Sequence, residues 1–400
     1  MKTLSVFALS MIFLYGCGDS YELNTLGLKY LKGDGVTRDY ARALKYFSQA
    51  AKRGVTDAQK NIGDMYENGL GVRLDYAQAV SWYRRAAEQG LVEAQSKLGG
   101  YYYEGKGIQK DDTEAFRWCL KAAGQGLPEA QNDVGRYYVQ GRGIQQDCAE
   151  AMKWFYKAAE QNYAKAQNSI GWMFYKGYGV NKDVTEAMKW FRRSGEQGYA
   201  PAWNNMGLLY VTGEGLPTDF REAMKWFRRA ANQGYASAQN NVGLLYFRGE
   251  GVQIDFTEAM KWFLRAAEQG HASAQNNVGA MYLNGDGVNI DFIEAMKWFR
   301  RSAEQGFALA QNNVGVMYLS GEGVPVDFTA AMKWFRKAAD QGEAWAQNNI
   351  GWMYQNGQGV ETDYEEAVKW FRAATDMGQE KAKIKAEGNQ KRLSGLRPEF

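Results

Sequence analysis

The sequence predicts an all-α solenoid, and three observations predict it. Glycine recurs from Gly27 through Gly63, Gly99 and Gly135 to Gly351 in nine equal steps of 36 residues, without an insertion. Tryptophan keeps the same interval from Trp82 to Trp370, with Tyr46 in its place in the first unit. Inside each interval the apolar residues fall at helical spacing. Ten equal units therefore replace the two or three domains that 400 residues suggest at roughly 150 residues per domain. A fixed period of this length is a stack of supersecondary units that bury their faces against one another.

One unit justifies both elements. Ala238, Val242, Leu245 and Tyr246 lie at i, i+4, i+7 and i+8 and line one helix face. Gly243 among them costs about 1 kcal/mol relative to Ala, which predicts close approach by the partner helix. Gly249 and Gly251 break this first helix and form the turn. Asp255 and Glu258 form a capping box for the second helix, Asp accepting from the backbone and Glu reaching back. Asp183/Glu186, Asp219/Glu222 and Asp291/Glu294 repeat it. These acidic pairs lack the alternating order of a calcium loop and read as caps. Phe256, Ala259, Phe263 and Ala266 make the buried stripe, and Gly270 ends the helix.

These residues carry a resemblance. Ala238-Gln239-Asn240-Asn241-Val242-Gly243 with Tyr246, the Gly249-Glu250-Gly251-Val252 turn, Asp255, Ala259-Met260-Lys261-Trp262-Phe263 and Ala266-Ala267-Glu268-Gln269-Gly270 resemble a Sel-one-like repeat (SLR), a longer-looped relative of the tetratricopeptide repeat. The resemblance recurs ten times over roughly residues 21–381. It implies a right-handed α-solenoid superhelix, and a role as an adaptor in envelope assembly, secretion, signalling or host contact.

Composition narrows the function classes. Hydrophobic residues make up 45% and charged residues 23%, which excludes a disordered chain. A net charge of +3 gives no reason to expect nucleic acid as partner. One histidine and three cysteines leave almost nothing for a zinc site or a disulfide scaffold. No catalytic, metal or phosphate-binding motif occurs, so neither a catalytic residue nor a cofactor is expected. His271 lies in an inter-helix turn where sister units place Tyr235 and Phe307, with no carboxylate or thiol in register. Cys119 occupies the slot of Phe155, and Cys148 that of Phe220. Both read as small buried hydrophobes, with a bond between adjacent units as the alternative in an exported chain.

The ends predict targeting and capping. Lys2 followed by the apolar run Leu4 to Tyr15 suits a signal peptide and is too short to span a bilayer. Leu14-Tyr15-Gly16-Cys17 resembles a bacterial lipobox, which implies a signal peptide over 1–17 and lipidation at Cys17. Gly18 then Asp19 after that cysteine implies the outer membrane. A soluble secreted or periplasmic chain is the alternative, and an N-terminus that is not cleaved would imply a soluble regulator inside the cell. Ten repeats follow over 18–381. Ala382 and Ala386 among Lys381, Lys383, Lys385 and Glu387 predict a polar capping helix, with a basic tail, over 382–400.

Opposite the core stripe of the first helices lie columns of polar residues. One runs Asn132, Asn168, Asn204, Asn240, Asn276, Asn312, Asn348; the next includes Asn205, Asn241, Asn277, Asn313 and Asn349. A carboxamide donates and accepts at once, which suits the backbone of an extended peptide. In tetratricopeptide superhelices, asparagines at matching places hold such a backbone in the concave groove. The alternatives are recent duplication or bonds between neighbouring helices. A third column runs Asp64, Gly100, Arg136, Trp172, Leu208, Leu244, Ala280, Val316, Trp352 and turns apolar along the chain. Trp172, Trp345 and Trp352 fall outside the core slot that nine of the thirteen tryptophans occupy. Exposed tryptophans in a rigid concavity are binding hot spots, and packing within the superhelix is the alternative. Together these residues predict a non-enzymatic scaffold of the cell envelope, with a bacterial or host protein segment as partner. The rival reading is an envelope enzyme or ligand binder for cell-wall or β-lactam-like substrates.

Overall fold

The computed structural model describes residues 20–376, and every regular element among them is a helix. Cys17 and the capping helix and tail expected over 382–400 lie outside the described residues. The helices fall into two compact units, Met1–Gln197 and Gly198–Phe400. The first holds α1 (20–32), α2 (Tyr40–Lys52), α3 (Thr56–Asn68), α4 (Tyr76–Glu88), α5 (Val92–Glu104), α6 (Asp112–Gly124), α7 (Pro128–Gln140), α8 (Cys148–Glu160), α9 (Ala164–Lys176) and α10 (Val184–Glu196). The second holds α11 (Ala200–Thr212), α12 (Phe220–Asn232), α13 (Ala236–Arg248), α14 (Phe256–Glu268), α15 (Ala272–Asn284), α16 (Phe292–Glu304), α17 (Ala308–Ser320), α18 (Phe328–Ala339), α19 (Ala344–Asn356) and α20 (Tyr364–Asp376). Within each unit consecutive helices pack on one another from α2 onward. This is the all-α solenoid of ten helix pairs that the period predicts.

The repeated glycine makes this packing possible. A Cβ on Gly243 would stand 2.6 Å from the ring of Phe263 and 3.2 Å from the carbonyl oxygen of Ala259. The space gained admits chiefly an aromatic ring rather than the partner backbone. Phe47, Phe155, Phe191, Phe227, Phe263, Phe299, Phe335 and Phe371 are accordingly the largest fully buried side chains, with Tyr83 in the same slot. The tryptophan one position earlier differs from its expected core role. Trp118 and Trp262 are buried, but Trp82, Trp154, Trp190, Trp226, Trp298, Trp334 and Trp370 are half-buried. They roof the adjoining core, as Trp82 does over the cluster of Ala43, Phe47 and Ile62. Except at Trp370, which is followed by Ala373, a basic residue three positions on lies over the ring, Arg265 at 4.5 Å from Trp262 and Lys337 at 4.2 Å from Trp334.

The expected capping box forms only in its forward arm. Asp255 accepts from the Glu258 N–H over 2.9 Å. Its own N–H donates instead to the carbonyl of Tyr246 on the preceding helix at 3.1 Å. Glu258 has no donor left to reach back to and pairs with Lys261 at 2.6 Å. The aspartate thus ties its helix to the previous one as well as capping it, and Asp147–Tyr138, Asp219–Tyr210 and Asp327–Tyr318 do the same.

Candidate interaction surfaces

The Gln-Asn-Asn run shows where its polar groups go. Gln239 Nε2 donates to the carbonyl of Ala231 at the end of α12, and its Oε1 accepts from Gln269 Nε2 at 2.7 Å. Gln275, Gln311, Gln95 and Gln131 repeat both bonds. Asparagines of the second column donate to the first column one repeat earlier. These bonds are Asn241 to Asn204 at 2.9 Å, Asn277 to Asn240 at 3.0 Å, Asn313 to Asn276 at 2.9 Å and Asn349 to Asn312 at 3.0 Å. Buried polar groups cost stability unless bonded; the two parallel ladders meet that requirement in the bonds named, whereas Gln347 Oε1 and Asn348 Oδ1 on α19 are buried without a partner.

Burial then sorts the candidate residues. Asn132, Asn204, Asn240, Asn276, Asn312 and Asn348 are buried, so no partner reaches them. Asn168, Asn205, Asn241, Asn277, Asn313 and Asn349 are half-buried. A carboxamide has two donor hydrogens and acceptor lone pairs, so one ladder bond does not exhaust it. Leu244 is half-buried against the core of α14 and α15. Trp352 is half-buried against Ala331, Phe335 and Phe371 and serves packing first. Trp203 is buried on the core side, with Arg229 4.9 Å from its ring centre.

Two of the three candidate tryptophans are exposed. In the first unit Trp172 meets Tyr175 edge to face at 5.4 Å, with Lys176 at 5.0 Å from its ring. It lines a cavity of about 260 Å³ with Tyr178, Phe155, Val139 and Ser169. In the second unit Trp345 is 45% exposed near the start of α19, and Leu309, its counterpart on α17, is 37% exposed. The Asn349–Asn312 bond shows that these two helices are neighbours. Ser237 and Ser273 hold the same register position on α13 and α15.

The structure also exposes residues that the period contained but pattern reading passed over. Ile254, Ile290 and Val326 sit one residue before successive N-cap aspartates and are exposed, as are the adjoining Phe292 and Ile293. That register reads Arg38, Leu74, Lys110, Gln146, Lys182 in the first unit and Thr218, Ile254, Ile290, Val326, Thr362 in the second, so the signal was a run of three consecutive apolar residues in repeats seven to nine.

The first unit carries a titratable cluster instead. Lys97 Nζ lies 2.9 Å from Asp64 and 2.5 Å from Glu67. The Tyr83 hydroxyl donates to the same carboxylates at 2.7 and 2.6 Å. Burial opposes ionisation of Asp64, but hydrogen bonds from Lys60, Lys97 and Tyr83 outweigh it and hold the carboxyl below its ordinary value. Glu67 is lowered likewise, burial being outweighed by bonds from Lys97 and Tyr83. His271 is half-buried and caps α15, its Nδ1 accepting from Ala274 N–H at 3.2 Å. Burial lowers its pKa. Cys119 and Cys148 are free, so the alternative of a bond between them is not realised. Among the described residues no group of His, Cys, Asp and Glu could hold a metal ion, and no helix is long and apolar enough to cross a membrane.

Comparison with known proteins bears on this architecture directly. The chain matches the Sel1 repeat in ten consecutive copies, over residues 25–343 and 346–379. It is 33% identical to a Sel1 repeat protein from Oxalobacter formigenes of known structure, over 79% of this chain and 90% of that one, with a TM-score of 0.54. A protective antigen present in uropathogenic Escherichia coli strains and displaying an SLR fold is 32% identical, over 96% of each chain, with a TM-score of 0.49. Among curated proteins no match is found.

Proposed function

The chain belongs to the Sel1 repeat family, and from that premise we propose that it is a non-enzymatic scaffold of the bacterial cell envelope. Its binding surface is the face of α17 and α19 in the second unit, which takes an extended segment of another protein. One observation carries the reading: Leu309 and Trp345 stand exposed at matching positions of neighbouring helices, beside half-buried Val316 and Trp352.

The mechanism is preorganisation. Helices fastened through the Gln and Asn ladders lose little conformational entropy when a partner docks. A large indole held on such a surface is the usual form of a binding hot spot. Half-buried Asn313 and Asn349 flank it and supply remaining hydrogen-bonding capacity for peptide groups. Export through the 1–17 segment, with lipidation at Cys17, places the scaffold in the envelope, and the intact mass of the natural protein tests that part.

The binding surface is tested by affinity capture from envelope and host-cell extracts, with the native chain beside Leu309→Ala/Trp345→Ala. Both side chains are exposed, so the variant keeps its thermal midpoint. Partners retained by the native chain and lost by the variant support the reading. Identical capture by both forms defeats it.

A further inference from the structure

Repeat three departs from its sisters at two adjacent positions. Under the helix glycine every other repeat places an aromatic ring: Phe47 under Gly27, Tyr83 under Gly63, Phe155 under Gly135, Phe263 under Gly243. Under Gly99 stands only Cys119, whose sulfur would lie 2.6 Å from an added Cβ. One residue on, Gly100 carries no side chain where the flanking repeats carry Asp64 and Arg136. A Cβ there meets nothing within 4 Å. Removing the ring below and the side chain above leaves a cavity of about 290 Å³ between α5 and α7. Lys97, Gly100, Tyr103, Cys119, Asp133 and Tyr137 are among the residues lining it. For scale, an apolar cavity of roughly 150 Å³ holds benzene.

Repeat two shows what chemistry fits this slot. There the Tyr83 ring fills the space under Gly63, and its hydroxyl reaches Asp64, Glu67 and Lys97 at the surface. One repeat later the counterpart of Lys97 is Asp133. Its carboxylate is half-buried and has Arg136 at 3.3 Å, so an acceptor stands where a phenolic hydroxyl would emerge. Cys119 lines the cavity, and burial pushes its thiol up to about 12.

We propose that the cavity above Cys119 and beside Gly100 binds a phenol ring, seated where the sister repeats keep their own aromatic ring, with its hydroxyl donating to Asp133. The phenol is either a free small molecule or the tyrosine side chain of a protein segment. This site lies wholly in the first unit and is independent of the surface on α17 and α19.

The test is calorimetric titration of the full chain with p-cresol and with the blocked peptide acetyl-Ala-Tyr-Ala-amide, each to about 10 mM, and with toluene to about 5 mM, near its solubility in water, where weak binding is still measurable. The native chain takes up one equivalent of p-cresol and holds toluene at least ~5-fold more weakly, the hydroxyl bond to a carboxylate being lost. Cys119→Phe restores the sister residue and Gly100→Leu copies Leu208 and Leu244; each lowers p-cresol affinity at least ~10-fold by filling the cavity. Binding of the peptide, with or without p-cresol, assigns the site to a tyrosine-bearing segment; p-cresol alone assigns it to small phenols. Absence of both, or p-cresol uptake unchanged in either variant, overturns the proposal.

Discussion

Asn277 Nδ2 donates to Asn240 Oδ1 across 3.0 Å, and this one bond ties α15 to α13 in the middle of the second unit. Its acceptor is buried, so removing the donor leaves an unpaired carbonyl away from water. Asn277→Ala is expected to lower unfolding stability by about 1–3 kcal/mol, read as a drop in urea midpoint. A midpoint equal to the native chain's would mean that water replaces the donor.

Gly99 and Gly100 are neighbours on α5 and respond to the same substitution with opposite sign. Gly99→Ala drives a methyl to 2.6 Å from Cys119 Sγ and 3.2 Å from the Ala115 carbonyl, an overpacking that costs about 1–3 kcal/mol. Gly100→Ala meets nothing and gains about 1 kcal/mol from helix propensity. Thermal midpoints of the two variants decide it, and movement in the same direction refutes the packing argument.

His271 caps α15 through Nδ1, which accepts only while that nitrogen is unprotonated. Burial lowers its pKa from the ordinary 6.5, so the unfolded chain binds the proton first as pH falls. The stability that the cap contributes is therefore complete above pH 6.5 and is lost as pH falls through the depressed folded value. The size at stake is that of one cap, about 1 kcal/mol. His271→Tyr, copying Tyr235, removes this acid-side loss while the rest of the pH profile persists.

Lys97 is the cation shared by Asp64 and Glu67. Lys97→Met leaves two half-buried carboxylates without it and costs about 1–2 kcal/mol at pH 7, discounted for partial exposure. Both carboxyls are held below their ordinary values of 3.8 and 4.5. Their contribution is present above those values and lost as pH falls through the lowered ones. The gap between native chain and variant should thus close in acid, as urea titrations at neutral and acidic pH would reveal; a gap that widens would contradict the sign.

Much of the fold was legible because the 36-residue period repeats its errors and its certainties alike. Helix existence, the turn glycines, the N-cap aspartates and the Phe263 slot follow from local spacing. Less was legible where two residues compete for one role. Trp262 and Phe263 are both large, apolar and buried, and only packing shows that it is the phenyl ring that stands under Gly243. The Glu258 side chain looks like the return arm of a capping box until the Asp255 N–H is found bonded to Tyr246.

The binding residues divide in the same way. Exposed Trp172 and Trp345 stand out in sequence because they break the tryptophan period. Gly100 and Cys119 each depart from their columns, yet neither suggests a cavity until helix packing sets one beside the other.

By itself the sequence determined the repeat, its helices and their caps, because these rest on spacing and on backbone groups within a few residues. Tertiary structure alone decided which asparagines face inward, which tryptophans remain exposed and where a missing ring leaves space. Those outcomes depend on the neighbouring repeat, 30 to 37 residues away in the chain, whose atoms either occupy a position or leave it open.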